Sequence, residues 1–187
     1  MVGADNTYTY PFISPNHGPG MNVVDTGSSS SIDMGTVTSA SASMSMLFGM
    51  YSDITIPSSQ RWYANDGTSS ILLRGNVSGN IEMLINSLSN DRVSHAATIN
   101  IGDSIIAGGS WGGAGTAIKV YSKTPTEGIQ ITTNGSTSTG TYTDAQREFN
   151  PVNTFDGGLL WAMFFDRQLE DPEAKMILEN PWQTLKS

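Results

Sequence analysis

Short segments of alternating apolar and polar residues, separated by turn residues, constrain this chain most strongly. In SASMSMLFGMY (41–51), Met44, Met46, Phe48 and Met50 fall on one face, and Ser43, Ser45 and Gly49 fall on the other. Side chains alternate between the faces of a β-strand, so this pattern predicts a strand with one core face. About ten to twelve such segments, with turns roughly every 8–12 residues, favour an all-β sandwich or barrel.

Glycine, asparagine and aspartate mark the predicted turns. The hinge Gly102-Asp103 separates two strands, and Asn134-Gly135 is predicted to end the strand over 128–133. The segment 155–167 is the most apolar and is predicted to be a strand buried on both faces. No proline-rich or charged linker divides the chain, so we predict one domain, residues 1–187, in which residues 1–20 form an N-terminal arm.

Charge and composition argue against several partners. The formal net charge is −8 with only 9 Lys+Arg, so no basic stripe is available for nucleic-acid phosphates or for an anionic membrane surface. No apolar run reaches the roughly 18 residues of a membrane helix, and the N-terminus lacks the pattern of a secretory signal. The absence of cysteine excludes disulfides and thiolate metal sites. We expect neither nucleic acid nor membrane as a partner.

One short helix is predicted within FFDRQLEDPEAKMILENPWQTL (164–185). Asp171 suits the N-cap and Pro172 the first helical position, while Asn180 and Pro181 end the helix. About two turns are too short to be stable alone, so the helix is expected to dock on the sheets. The residues expected to make that contact are Leu169, Ala174, Ile177, Leu178 and Trp182.

The stretch 157–182, GGLLWAMFFDRQLEDPEAKMILENPW, resembles the end of laminin-G-like jelly-roll domains of the concanavalin A-like lectin/glucanase superfamily. Those domains close with a strand, an R-x-L turn, a short helix with an acidic cap, and an N-P-aromatic sequence. The residues that match this pattern are Arg167, Leu169, Glu173, Asn180, Pro181 and Trp182. Upstream, 109–128 resembles a glycine-rich turn that leads to a strand carrying a tyrosine, here Tyr121, and 28–35 resembles an early Ile-Asp-x-Gly strand. The N-P-W ending is similar to that of domains in tailed-phage structural proteins. The resemblance implies a two-sheet antiparallel jelly-roll sandwich with one short C-terminal helix.

Carboxylates do not form the pattern of a glycosidase. Laminarinase-like enzymes of this superfamily carry an E-x-D-x-x-E strand, and a retaining enzyme needs two carboxyl groups about 5–5.5 Å apart. Glu82 is alone in NIEML, and the acids Glu170, Asp171 and Glu173 lie where helix capping explains them.

A serine motif is also present. GGSWG (108–112) matches G-x-S-x-G with Ser110 as the nucleophile, but that motif requires a following helix and a later histidine. A predicted strand follows instead, and His17 and His95 both precede Ser110. We therefore expect no catalytic residues and no enzymatic activity.

Aromatic residues next to turns are the candidates for contact with a glycan or a protein partner. Trp62 and Tyr63 lie beside NDG (65–67), and Trp111, in a predicted glycine-rich loop, is expected to be the most exposed tryptophan. Trp62 and Trp111 could instead cover a loop. Trp161 and Trp182 are interpreted as core and helix-docking residues.

We expect no bound cofactor. Laminin-G-like domains sometimes bind Ca²⁺ at an edge of the sandwich, and the loop acids that could serve are Asp66, Asp103 and Asp156. Turn formation beside glycine explains these residues better.

Two functions remain open. The first is a non-enzymatic virion accessory protein, a phage capsid decoration or tail-associated protein that contacts other virion proteins and could contact host glycans. Such a protein would be made in the host cytoplasm and located in the virion, and it could be a homo-oligomer. The alternative is a carbohydrate-binding adhesion module of a larger fibre or cell-surface assembly. Fold alone does not decide between them.

Overall fold

A computed structural model describes residues 12–14, 18–23, 32–36, 43–53, 60–65, 71–85, 91–113, 115–137, 146–149 and 157–181. Within these ranges the chain forms thirteen strands and one helix, α1 (Asp171–Glu179). That helix is not long and apolar enough to cross a membrane.

The strands form two antiparallel sheets. In spatial order, the larger contains β1 (Phe12–Ser14), β2 (Gly18–Val23), β13 (Gly157–Phe165), β4 (Met44–Ser52), β9 (Ser104–Trp111), β10 (Ala117–Thr124) and β11 (Gly128–Thr137). The smaller contains β3 (Ile32–Thr36), β12 (Gln146–Phe149), β5 (Gln60–Asn65), β6 (Ile71–Gly75), β7 (Asn80–Ile85) and β8 (Arg92–Ala96). The predicted two-sheet sandwich with one short C-terminal helix is confirmed.

The main core lies between the sheets. Met44, Met46, Phe48 and Met50 all belong to it, as their alternation in the sequence predicts. The ring centroid of Phe48 lies 5.6 Å from that of Phe149 on the opposite sheet, so aromatic contact links the two layers.

A second apolar cluster covers the outer face of the seven-stranded sheet. Leu47, Ile106, Tyr121 and Met163 contribute from the strands, and Leu169, Ala174, Ile177 and Leu178 contribute from the helix and its connector. The helix therefore docks through the residues predicted for it, except Trp182, which lies outside the described residues.

Two strand predictions need correction. Strand β11 does not end at Asn134-Gly135 but continues to Thr137. The Asn134 side chain accepts a hydrogen bond from the Ile118 backbone N–H at 2.8 Å, where the pairing with β10 is irregular, so an apparent turn signal marks a bulge. Strand β13 is not buried on both faces throughout, because Ala162 is exposed and Trp161 only half-buried.

The N-terminal end of the helix also differs by one position from the prediction. Glu170 is the N-cap, in extended backbone geometry, so Asp171 is the first helical residue and Pro172 the second. The Glu173 carboxylate accepts the backbone N–H of Glu170 and two hydrogen bonds from Arg167, at 2.7 Å each. The hydrogen bonds from Arg167 are the largest cause that lowers the pKa of Glu173, to about 2. Asn180 caps the C-terminus as expected.

The predicted arm is described only in part. Residues 12–14 pair with β2, and β2 pairs with β13, so these residues form the edge of the chain's own larger sheet.

Candidate ligand pocket at the helix C-terminus

The tryptophans selected from the sequence as ligand contacts lie in the core. Trp62 in β5 is fully buried, and Trp111, the last residue of β9, is 2% exposed, so the expected exposure of Trp111 is wrong. The glycines before it lie in a strand, and a Cβ on Gly108 would approach the Met46 carbonyl oxygen to 2.4 Å. Glycine is thus needed there for close packing and not for a loop. Tyr63 lies in β5, and its side chain is outside the description.

Of the three calcium candidates, Asp66 and Asp156 lie outside the described residues. Asp103 accepts a hydrogen bond from the Asn100 backbone N–H at 2.8 Å and its own N–H donates to the Asn100 carbonyl. This is turn chemistry of the kind that the sequence suggested. Within the described part of the chain, no three His, Cys, Asp or Glu side chains gather into a metal-binding group.

Ser110 and Glu82 have structural partners. Ser110 lies inside β9, fully buried, and its hydroxyl is 2.6 Å from that of Tyr121; the next element is β10 and not a helix. Glu82 is almost fully buried on the outer face of the smaller sheet and pairs with Arg74 and, at 3.8 Å, with Arg92. Glu82 is therefore held inside the smaller sheet by ion pairs with neighbouring residues and has a structural role.

His95 joins the two sheets. Its Nε2 lies 2.7 Å from the hydroxyl oxygen of Ser122 on β10, and its Nδ1 lies 3.1 Å from that of Thr132 on β11. Burial lowers the pKa of His95 to about 4, although the Glu127 carboxylate opposes this shift. The imidazole is therefore neutral at pH 7. Since Ser122 is fully buried, the pair connects the layers and presents no nucleophile to a ligand.

A concave site lies on the outer face of the larger sheet, beside the C-terminal end of the helix. It has a volume of about 410 Å³, within the range of roughly 300–1,000 Å³ typical of small-molecule sites. It is lined by Gly49, Ser104, Ile105, Ile106, Lys123, Thr124, Pro125, Leu160, Trp161, Glu179, Asn180 and Pro181. We call it the helix-end pocket.

The floor of the helix-end pocket is one row of residues that are paired directly across four strands. Trp161 on β13 pairs with Gly49 on β4, Gly49 pairs with Ile106 on β9, and Ile106 pairs with Lys123 on β10. Three inter-strand spacings make this row about 14 Å long between Cα atoms. Along the floor, the Trp161 ring covers Gly49, and the aliphatic side chain of Ile106 and the cationic side chain of Lys123 follow.

A β-bulge sets the position of Trp161. The pairing of β13 with β4 passes from Leu159–Met50 to Trp161–Gly49, so Leu160 is the additional residue. Leu159 belongs to the core, whereas Leu160 and Trp161 line the pocket. Bulges often re-aim a side chain in this way beside functional sites.

Polar groups surround this apolar floor. The Lys123 ammonium donates to the backbone carbonyl of Glu179 at 3.2 Å, which ties the helix end to β10. The Glu179 carboxylate is 56% exposed and lies 4.0 Å from Lys175 Nζ, and the Asn180 side chain is exposed. An aromatic floor with convergent donors and acceptors is suited to a ligand with one apolar face and several hydroxyl groups.

The sequence did not identify this pocket. The sequence pattern predicts a core position for Trp161 and does not indicate Gly49, Ile106 or Lys123 as site residues. Alternation places Gly49 opposite the core methionines, but only the pairing register brings it beneath Trp161. A lone glycine inside a predicted strand is the available signal.

These features define the class of the protein as a two-sheet antiparallel jelly-roll sandwich with one short C-terminal helix. No protein-family model and no curated protein sequence matches the chain. Solved structures do match it, at identities that establish the fold only.

Three of these structures are instructive. The heptameric SAP-like pentraxin from Limulus polyphemus is 13% identical over 78% of this chain and 73% of that one, with a TM-score of 0.56. The CBM40 of Ruminococcus gnavus IT-sialidase, bound to α2,3-sialyllactose, is 10% identical over 79% and 95%, with a TM-score of 0.55. The enzymatically active domain of bacteriophage CBA120 tailspike protein 2 is 12% identical over 95% of this chain but 30% of that one, with a TM-score of 0.57.

Proposed function

We propose that this chain is a non-catalytic carbohydrate-binding module whose ligand site is the helix-end pocket. The observation that carries the proposal is the half-buried ring of Trp161 on the floor of a pocket that Lys123, Glu179 and Asn180 also line. A sugar ring has an apolar face of C–H groups and a rim of hydroxyls, which this arrangement complements. The similarity to the CBM40 fold, whose structure holds sialyllactose, is compatible with the proposal.

The decisive variant keeps the fold and removes the aromatic face. Trp161→Leu preserves an apolar side chain over the second cluster but removes the ring on which a sugar would stack. We expect the wild-type chain to bind sugars on a glycan array and W161L to lose that signal at least tenfold, since aromatic stacking contributes roughly 0.5–1.5 kcal/mol beyond area burial and the contact area also falls.

The matched control is Met176→Ala, which truncates a 62%-exposed residue of helix α1 that does not line the pocket. It should bind as the wild type does. Urea unfolding of all three proteins shows whether they are folded. Absence of any glycan binding by the wild type, or full binding by folded W161L, would refute the proposal.

A second proposal concerns where the module acts. We infer that it is an accessory protein of a phage virion, on the capsid or the tail, which contacts other virion proteins. Two observations favour it: the phage-like sequence ending at 157–182, and the 95% of the chain that aligns with a tailspike domain. Mass spectrometry of purified particles tests it directly. Particles that lack the protein would exclude this location without affecting the pocket proposal.

A further inference from the structure

The charges around the helix-end pocket restrict which sugars it can accept. Among the described residues that line it, the charged side chains are Lys123 and Glu179. The C-terminal end of α1 adds a negative partial charge of about half a unit, because the last backbone carbonyls point away from the helix. Among the groups that line the pocket, the three contributions add up to a net charge of about minus one half, whereas Lys175, 62% exposed, lies outside the lining.

The positively charged group of this pocket already has a partner. The Lys123 ammonium donates a hydrogen bond to the Glu179 backbone carbonyl, so its charge partly neutralises the helix end. The Glu179 carboxylate is more than half exposed, and its nearest cation, Lys175, lies at the 4.0 Å limit of an ion pair and is itself 62% exposed. A ligand that enters the pocket therefore meets an acceptor-rich wall at the helix end. Such a wall accepts hydrogen bonds from hydroxyl groups and repels carboxylates, sulfates and phosphates.

We propose that the helix-end pocket selects neutral, hydroxyl-rich sugars and discriminates against acidic ones. This inference rests on the proposed function of the pocket and adds the ligand class. Trp161 stacks against the apolar face of the sugar ring, while Glu179 and Asn180 bind its hydroxyls. The net charge of −8 acts in the same direction at longer range.

The expected discrimination is moderate. Half a unit charge acting on a ligand anion about 5–6 Å away, at an effective dielectric constant near 20, corresponds to about a tenfold difference in affinity. Screening by salt reduces this difference, so it should be largest at low ionic strength.

The test is a glycan array that presents neutral oligosaccharides beside counterparts on the same core that carry sialic acid, uronic acid or sulfate. We expect the wild type to bind neutral members about tenfold better. Glu179→Gln keeps the side-chain shape and a hydrogen-bond acceptor but removes the negative charge, so it should strengthen binding of the acidic members selectively.

The control for this charge change is Asp166→Asn, which removes an exposed acid near the other end of the helix. D166N should retain the wild-type preference. If the wild type binds acidic members better, and W161L abolishes that binding, the inference is overturned while the proposed function stands. If the wild type binds no glycan, or W161L binds as well as the wild type, both fail.

Discussion

The indole ring of Trp161 lies directly on Gly49 of the neighbouring strand: a Cβ placed on Gly49 would be 2.3 Å from both Cε2 and Nε1 of the ring. A second aromatic ring covers a glycine in the same way: a Cβ on Gly158 would be 2.1 Å from Cε1 of its cross-strand partner Tyr51. Aromatic rings that cover strand glycines protect the exposed backbone and fix the register. At Gly49 the same contact shapes the pocket floor.

Gly49→Ala should therefore displace the Trp161 ring. We expect a loss of stability of about 1–3 kcal/mol, typical of overpacking, together with weaker glycan binding. Urea unfolding and glycan binding measure the two effects. In the W161L background the added methyl group meets a smaller side chain, so the cost of G49A should shrink. Equal costs in both backgrounds would show that the ring does not restrict this position.

Ser45 connects the helix linker to the sheet. Its hydroxyl donates to the Arg167 carbonyl at 2.7 Å and accepts the buried Leu169 N–H at 2.9 Å. Ser45→Ala leaves both groups without this partner, so we expect a loss of about 1–3 kcal/mol in the free energy of unfolding.

Ser43, two residues earlier on the same face, is the matched control, because its bond to the Asp166 carbonyl is exposed and 3.2 Å long. S43A should stay within about 0.5 kcal/mol of wild type. Similar losses in S43A and S45A would contradict the role assigned to Ser45.

Stability should depend on pH through His95. Its pKa in the folded state, about 4, lies below the ordinary value of 6.5, so the unfolded chain binds more protons between these values. The free energy of unfolding should fall as the pH is lowered from 6.5 to 4 and should not change through this residue above 6.5. His95→Gln should flatten that part of the curve. The contribution of Glu173, whose folded pKa is about 2, is lost at lower pH, between 4.5 and 2.

Trp62 is expected to act on stability and not on ligand binding. It is fully buried in the core between the sheets. Trp62→Ala should therefore lower the free energy of unfolding by about 3–5 kcal/mol, and Trp62→Phe should lower it considerably less. Denaturant unfolding measures both variants. If W62A kept wild-type stability but lost glycan binding, Trp62 would instead be a ligand contact.

The pair of Glu82 and Arg74 tests whether this acid is structural. Among the described residues, Arg74→Met leaves the buried Glu82 carboxylate with only the more distant Arg92, and we expect a loss of up to about 3–5 kcal/mol in the free energy of unfolding. Replacing both residues, R74M with Glu82→Leu, should restore much of that stability, because no buried charge remains unpaired. If the double variant is less stable than R74M, this interpretation is wrong.

The sequence by itself determined the elements. Alternation at Met44, Met46, Phe48 and Met50 depends only on the two-residue period of a strand, and the helix signals at Glu173 and Asn180 depend only on local backbone chemistry. Such patterns are local, so the fold class and the short C-terminal helix could be predicted.

The tertiary structure decided which residues meet. GGSW is a strand and not a loop because other strands approach Gly108 and Gly109 closely, and these neighbours are distant in the sequence. The pocket floor exists because a bulge at Leu160 brings Trp161 into register with Gly49, Ile106 and Lys123. A register shift of one residue would turn each side chain to the other face, and no local pattern fixes that register between strands so far apart in the chain.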